Sequence, residues 1–133
     1  MALKFGVLTR NARLEAVETY IGTAPTLRIR SGSPPANAGS ADTGDILATI
    51  TLPSNWLADA SGGEKEMAGT WQDAEADAEG VAGHFRIYKN GTCEIQGTVG
   101  QTGGSEDLLL NNVNIAPGQQ VTITAFKITD GNA

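Results

Sequence analysis

Residues 82–99 read Ala82-Gly83-His84-Phe85-Arg86-Ile87-Tyr88-Lys89-Asn90-Gly91-Thr92-Cys93-Glu94-Ile95-Gln96-Gly97-Thr98-Val99. Two alternating runs flank an Asn-Gly pair, the strongest short-range signal for a β-hairpin. A two-residue turn at Asn90-Gly91 sets Ile87 against Glu94 and Phe85 against Gln96, which mixes apolar and polar faces. A three-residue loop, Lys89-Asn90-Gly91, pairs Ile87 with Cys93 and Phe85 with Ile95. It also sets Arg86 opposite Glu94 and His84 opposite Gln96. A one-residue slip moves every side chain to the other face, so the second register is expected. Gly91 then takes the left-handed position of a type I turn plus bulge. In that register Phe85, Ile87, Cys93, Ile95 and Val99 face a core. His84, Arg86, Tyr88, Glu94 and Gln96 face solvent or a partner.

The pattern on either side of the hairpin is also mostly β. Thr26-Leu27-Arg28-Ile29-Arg30 alternates with Leu27 and Ile29 inward and Arg28 and Arg30 outward. Ile46 to Leu52 alternates again, ends at Pro53, and leaves Trp56-Leu57 to plug one end of a core. Glu64 to Trp71 reads as a strand with Met67 and Trp71 on one face. Leu108-Leu109-Leu110, Val113 to Ile115 and Val121 to Thr129 follow as strands. In the last, Val121, Ile123 and Ala125 share one face while Phe126 and Ile128 fall on the other, so either a bulge near Ala125-Phe126 or a strand buried on both sides is expected. Residues 1–8 read as an amino-terminal arm that pairs as a strand or reaches onto a neighbouring subunit. Residues 9–21 carry Leu14, Val17 and Ile21 at helical spacing, with Thr9 or Asn11 as cap and Gly22 as stop. Arg10 and Arg13 precede Glu15 and Glu18, which opposes the helix dipole, so packing must hold this helix against a sheet. Residues 31–45, with Pro34-Pro35 and several Gly, Ala, Ser and Asp, read as a long loop that contacts a partner or wanders over the surface. Residues 100–107 read as a second, flexible loop.

These elements make the chain one all-β domain over residues 1–133, a jelly-roll-like β-sandwich of about eight strands with one amino-terminal helix. The 133 residues are enough to bury a core. The 17 glycines are nearly double the ordinary share of about 7%, in keeping with a turn-rich β protein. No run approaches the roughly 18 apolar residues of a membrane-spanning helix. The first residues lack the apolar stretch of a signal peptide. The single cysteine, Cys93, has no internal disulfide partner and reads as a small buried hydrophobe.

Charge is divided unevenly. Residues 1–30 hold five basic residues (Lys4, Arg10, Arg13, Arg28, Arg30) against two acidic ones, and the remainder holds four basic against thirteen acidic. A chain of net charge −6 is a poor nucleic-acid binder. Its basic amino-terminal part suits an acidic protein surface.

Signatures of catalysis are missing. There is one histidine, His84, and no Gly-x-Ser-x-Gly elbow or phosphate-binding glycine loop. One His and one Cys are too few for a zinc site. Asp73 to Gly80 resembles a calcium loop, but Ala78 stands where glycine is required and His84 where the closing carboxylate is required. No catalytic residue, metal or cofactor is expected. Exposed aromatics are the usual sugar-binding platform, and Trp56, Trp71, Tyr20 and Tyr88 are the candidates. Tyr88, beside the hairpin tip, is the one expected to face outward.

Almost the whole chain resembles a group of small tailed-bacteriophage virion proteins. The resemblance lies in Asn11-Ala12-Arg13-Leu14-Glu15-Ala16-Val17-Glu18 leading to Ile21-Gly22-Thr23-Ala24-Pro25, in Leu27-Arg28-Ile29-Arg30-Ser31-Gly32-Ser33-Pro34-Pro35-Ala36-Asn37 and in Ile50-Thr51-Leu52-Pro53. It continues in Gly83 to Tyr88, Cys93 to Val99 and Gly118 to Thr124. The chain looks similar to jelly-roll cement (decoration) proteins that clamp the outside of an expanded icosahedral head. The resemblance implies a capsid-surface location after assembly in the host cytoplasm, and the major capsid protein as partner. It also implies a homo-oligomer, dimer or trimer, with neither nucleic acid nor membrane as ligand. Arg10, Arg13, Arg28 and Arg30 are then the expected capsid-binding residues. A fibre, spike or tail component, or a carbohydrate-binding module using Tyr88 on host glycans, is the alternative.

Overall fold

The computed structural model describes residues 2–133; Met1, the first residue of the expected arm, lies outside them. The fold is mostly β with one helix. Helix α1 spans Val7–Ile21 and is followed by β1 (Thr26–Ser31), β2 (Ile46–Thr51), β3 (Glu64–Glu66), β4 (Gln72–Asp73), β5 (Gly80–Lys89), β6 (Thr92–Gln101), β7 (Leu108–Leu110), β8 (Asn114–Ile115) and β9 (Val121–Thr129). The main path through the sheet is β2-β1-β5-β6-β7-β9-β3, with β4 added on β9 and β8 on β5. All pairings are antiparallel except β6 with β7, so the sheet is mixed. The sheet curls until β4 reaches β2, where Asp73 Oδ2 accepts the Thr49 N–H at 3.0 Å.

The curled interior holds a chain of aromatic rings. Trp56 and Trp71 centroids lie 6.1 Å apart, Trp71 and Phe126 5.3 Å, and Phe126 meets Phe85 edge-on at 5.5 Å. Leu27, Ile29, Leu47, Ile50, Leu52, Ile87, Leu108 and Leu110 pack around them. Both indole N–H groups find carbonyls: Trp56 donates to Gly22 O at 2.9 Å and Trp71 to Ala68 O at 3.0 Å. Two tryptophans can therefore sit in the core without an unpaired donor.

The hairpin corrects the expected register. Asn90 (φ 49°) and Gly91 (φ 82°) both lie at positive φ, the mark of a two-residue type I′ turn, and Lys89 pairs with Thr92. The face conflict is resolved one step later. Tyr88 pairs with Cys93 and Ile87 with Ile95, so Glu94 is an extra residue in a bulge. Beyond it the register differs from the expected one again, with Arg86 opposite Gln96, Phe85 opposite Gly97 and His84 opposite Thr98. Cys93 is thereby turned away from the core to the face of Tyr88 and Arg86, contrary to expectation. A second bulge, at Thr124, lets Leu109 pair with Ala125 and Leu110 with Ile123. It restores Phe126 to the buried side, close to where the phase break in the sequence placed it.

The expected strand over 64–71 is only Glu64–Glu66 plus a bridge from Leu57 to Met67, because Gly69 turns the chain at φ 74°. The helix begins two residues earlier than expected. Gly6 is its cap, and no side chain caps it. Ala2 to Gly6 run beside the carboxyl-terminal end, where the Phe5 N–H donates to Asn132 O at 2.7 Å.

Helix α1 docks through polar groups as well as through Leu14 and Ile21. Asn11, Glu15 and Glu18 form a stripe at one-turn spacing. Asn11 Oδ1 accepts the Gly63 N–H at 2.8 Å, Glu15 Oε1 the Ala60 N–H at 2.6 Å and Glu18 Oε2 the Leu57 N–H at 3.3 Å. Lys65, fully buried, projects between the two carboxylates with Nζ 2.8 Å from Glu15 and 3.0 Å from Glu18. Burial opposes the Lys65 charge, but the two glutamates outweigh it and raise its pKa. The Lys65 hydrogen bond and the Ala60 N–H lower that of Glu15.

Removing one member of a buried ion pair typically costs 3–5 kcal/mol. Glu15 retains water contact, which places Lys65→Ala near the lower bound, at about 3 kcal/mol. Lys127→Ala, which breaks an exposed pair with Glu64, is expected to cost less than about 1 kcal/mol. Urea unfolding checks both. The Lys65 variant should shift the midpoint at an unchanged slope, and equal shifts for the two variants would refute a helix clamp centred on Lys65.

Candidate functional site

The outer face of β1, β5 and β6 carries the side chains that the alternation directs away from the core. Cross-strand pairing sets Arg28 against Arg86, Arg30 against His84 and Thr26 against Tyr88. This face is largely covered. Residues 32–45 fold back across it as a strap, so His84, Arg86 and Arg30 are buried and Tyr88 is 7% exposed. The expectation that His84, Arg86, Tyr88 and Arg30 face solvent is corrected on that ground. So is the view of the loop as a wandering segment: its inner side is bound to its own sheet.

The strap is tied down at successive points by polar groups. The His84 ring lies with Nδ1 2.9 Å from Gly32 O. Gln96 Nε2 donates to Pro35 O at 2.8 Å. Arg86 Nη2 donates to Ala38 O at 2.7 Å and to Ser40 O at 3.0 Å. Arg30 Nη1 donates to Gly44 O at 3.2 Å. Asp42 is the central anion. Its Oδ1 accepts from Arg86 Nη1 and from the Tyr88 hydroxyl, the latter at 2.8 Å, and its Oδ2 accepts from Arg30 Nη2 at 3.1 Å. Gly83 allows the crossing: a Cβ there would fall 2.2 Å from Gly32 O.

Electrostatics follow from this packing. Burial opposes ionisation of Asp42, but hydrogen bonds from Tyr88 and Arg86 and the charges of Arg30 and Arg86 prevail and lower its pKa. Burial and the Asp42 hydrogen bond raise that of Tyr88. Burial also raises the Cys93 thiol, against the opposing effect of Arg86. Cys93 Sγ accepts from Arg86 Nε at 3.1 Å and lies 3.3 Å from Ile95 O. It is half-buried under the strap and is not a core hydrophobe.

The four arginines singled out by the sequence do not form one surface. Arg10 and Arg13 lie on α1 against the carboxyl-terminal end: Arg10 Nη1 approaches Asp130 O at 3.4 Å, and Arg13 Nε pairs with Asp130 at 3.0 Å. Arg13 also stacks on Phe5 at 4.7 Å and keeps half its side chain in water. Arg28 lies apart from these on β1, stacked 5.5 Å from the Tyr88 ring centroid. Arg30 is committed to the strap. Tyr88 is buried and presents no open ring face; Arg28 stacks on it and its hydroxyl is bound to Asp42. Trp56 and Trp71 are core residues. Tyr20 is exposed, with Lys89 Nζ 3.9 Å above its ring.

The acidic run 73–79 works as an internal turn. Asp73 Oδ1 caps the Glu75 N–H at 3.0 Å, and Asp77 accepts the Thr49 hydroxyl at 2.8 Å. Among the described residues no group of three or more His, Cys, Asp or Glu side chains converges as a metal site, and no helix is long and apolar enough to cross a membrane. No protein-family model matches the chain, and no curated protein and no solved structure matches it.

The lowered pKa of Asp42 gives the strap a pH dependence of known sign. The contribution of Asp42 is fully present above the unfolded-state value of about 3.9 and is lost as pH falls through the lower folded value. Asp42→Asn should therefore remove stability at neutral pH and blunt the acid dependence. Cys93, freed by a loosened strap, should react faster with a disulfide reagent at pH 7. An Asp42→Asn protein with unchanged thiol reactivity would show that the strap does not depend on this residue.

Proposed function

We propose that the protein is a bacteriophage capsid decoration (cement) protein. In this reading it binds the outer surface of the major capsid protein shell, stabilises the expanded head, and does so without catalysis. The fold is read as a jelly-roll-like sandwich whose curled sheet supplies the rigid body. The observation that carries the reading is the position of the exposed apolar side chains. Among the described residues, four of the five large exposed hydrophobics are Leu3 (58% exposed), Val7 (43%), Leu8 (79%) and Tyr20 (59%), all in the amino-terminal arm and helix. Lys4, Arg10 and Arg13 lie among them in sequence, in an otherwise acidic chain. An apolar and basic arm on a polar, strapped body suits docking to an acidic protein surface. Repetition over a shell multiplies a modest contact by avidity. The arrangement keeps Arg10, Arg13 and Arg28 as capsid-facing candidates and removes Arg30, which is buried under its own loop.

Co-sedimentation with expanded heads lacking this protein tests the reading. Saturable binding at high copy number is expected, with none to unexpanded heads. Leu8→Ser should lower occupancy at least several-fold while leaving thermal unfolding unchanged, because Leu8 is almost fully exposed. Binding at only a few copies per particle, or to tails alone, would replace the cement reading with a fibre or tail component.

A further inference from the structure

We propose that the cleft between the start of β1 and the hairpin tip is a carboxylate-binding site, with Arg28 as its cation and an acidic side chain of a protein partner as its ligand. The cleft has a volume of about 390 Å³ and is lined by Thr23, Thr26, Arg28, Tyr88, Asn90 and Gly91, with Asp42 at its inner edge.

Charge on this face is unbalanced, and one of its three arginines has no carboxylate partner. Arg28, Arg30 and Arg86 lie on the same face of neighbouring strands, and the carboxylate among them is Asp42. Both Asp42 oxygens are already engaged, one by Arg86 and Tyr88 and the other by Arg30. Lys89, at the cleft wall, donates to Tyr20 O at 2.6 Å. Arg28 pairs with no carboxylate among the described residues, and its Nε is buried without a hydrogen-bond partner. Like charges placed opposite each other on neighbouring strands are unfavourable, and Arg28 stands opposite Arg86.

The Arg28 guanidinium is nevertheless held in place, stacked on Tyr88 and level with the cleft. A guanidinium fixed by stacking presents a planar fork that matches a carboxylate in bidentate fashion. Thr23 and Thr26 hydroxyls line the same wall and offer further donors. A carboxylate entering here gives Arg28 a counter-charge and eases its repulsion with Arg86. The size admits one acidic side chain and its adjoining backbone.

In the capsid reading the carboxylate belongs to the shell protein. That identity rests on the reading, whereas the site itself is tested on the isolated protein. The two can therefore fail separately.

The test is an NMR titration of the 15N-labelled protein with a glutamate-bearing tetrapeptide blocked at both ends, with acetate and with inorganic phosphate. Saturable shifts are expected at the Arg28 Nε–H and at the Asn90 and Gly91 amides, with a Kd for the peptide on the order of 1 mM. Arg28→Gln should weaken binding at least tenfold. Arg28→Lys, which keeps charge but loses the fork, should weaken it several-fold, and Lys127→Gln should leave it unchanged. Tighter binding of peptide than of acetate identifies a protein-borne side chain. Equal affinity keeps the site and points to a free carboxylate as its ligand. Linear, unsaturable shifts, phosphate binding without peptide binding, or undiminished binding by Arg28→Gln would each overturn the proposal. If Arg28→Gln does not fold, the Arg28→Lys titration and the wild-type Nε–H shift decide.

Discussion

A buried arginine constrains this fold more than any other single group. Arg86 lies in β5, the strand flanked by β1 and β6, and is 1% exposed. Burying an unpaired charge is prohibitively costly, so its donors require partners. Neither neighbouring strand supplies a carboxylate for it. The strap does, through Asp42, and adds the Ala38 and Ser40 carbonyls, while Cys93 takes Nε. The strap has little to gain from apolar burial, since it is built of Gly, Ser, Ala, Pro, Asp, Asn and Thr. It closes because the arginine beneath it needs anions and carbonyls, and the same bonds satisfy the backbone of an otherwise irregular segment.

The second fully buried cation, Lys65, repeats this logic at the helix. Lys65 collects Glu15 and Glu18, and those carboxylates also receive N–H groups from the 57–60 segment. A helix with a weak apolar stripe and no side-chain cap is thus fixed by charge. In both places an irregular segment or marginal helix is joined to a strand by one buried cation. Removing either cation would strand several partners together, which makes these positions comparable in consequence with large apolar core residues.

The regular elements were legible from residue type. Period-2 alternation at Leu27/Ile29 and Ile46–Leu52, the Asn90-Gly91 turn and the phase break before Phe126 all correspond to observed strands, turn and bulge. What escaped has one physical cause. Alternation separates two faces of a strand but does not say which face is dry. His84, Arg86, Tyr88 and Arg30 looked outward because they are polar, and they do lie on the outer face; a distant loop then covers it. The signal that a Pro- and Gly-rich loop would cover them is its acidic residue Asp42, and pairing it with Arg86 requires the tertiary fold. The register error is similar. A bulge at Glu94 relieves the same face conflict that a longer turn would relieve, and the local pattern does not choose between them.

Arg10 and Arg28 are the two arginines without a carboxylate partner among the described residues, and of the two Arg28 lines a cleft. The molecule gives its buried cations Arg30, Lys65 and Arg86 each an internal carboxylate, and even exposed Arg13 and Lys127 have one. Arg28 sits one strand position from that economy, shares Tyr88 with it, and has a donor enclosed without an acceptor. Its backbone is fixed by β1 pairing with both β2 and β5, its guanidinium stacks on Tyr88, and the Asp42 oxygens are already taken. A cation held rigidly at the mouth of a cleft and left without an internal counter-charge is preorganised for one from outside. Because no reorganisation of the body is needed to present it, most of the ordering cost of binding falls on the partner.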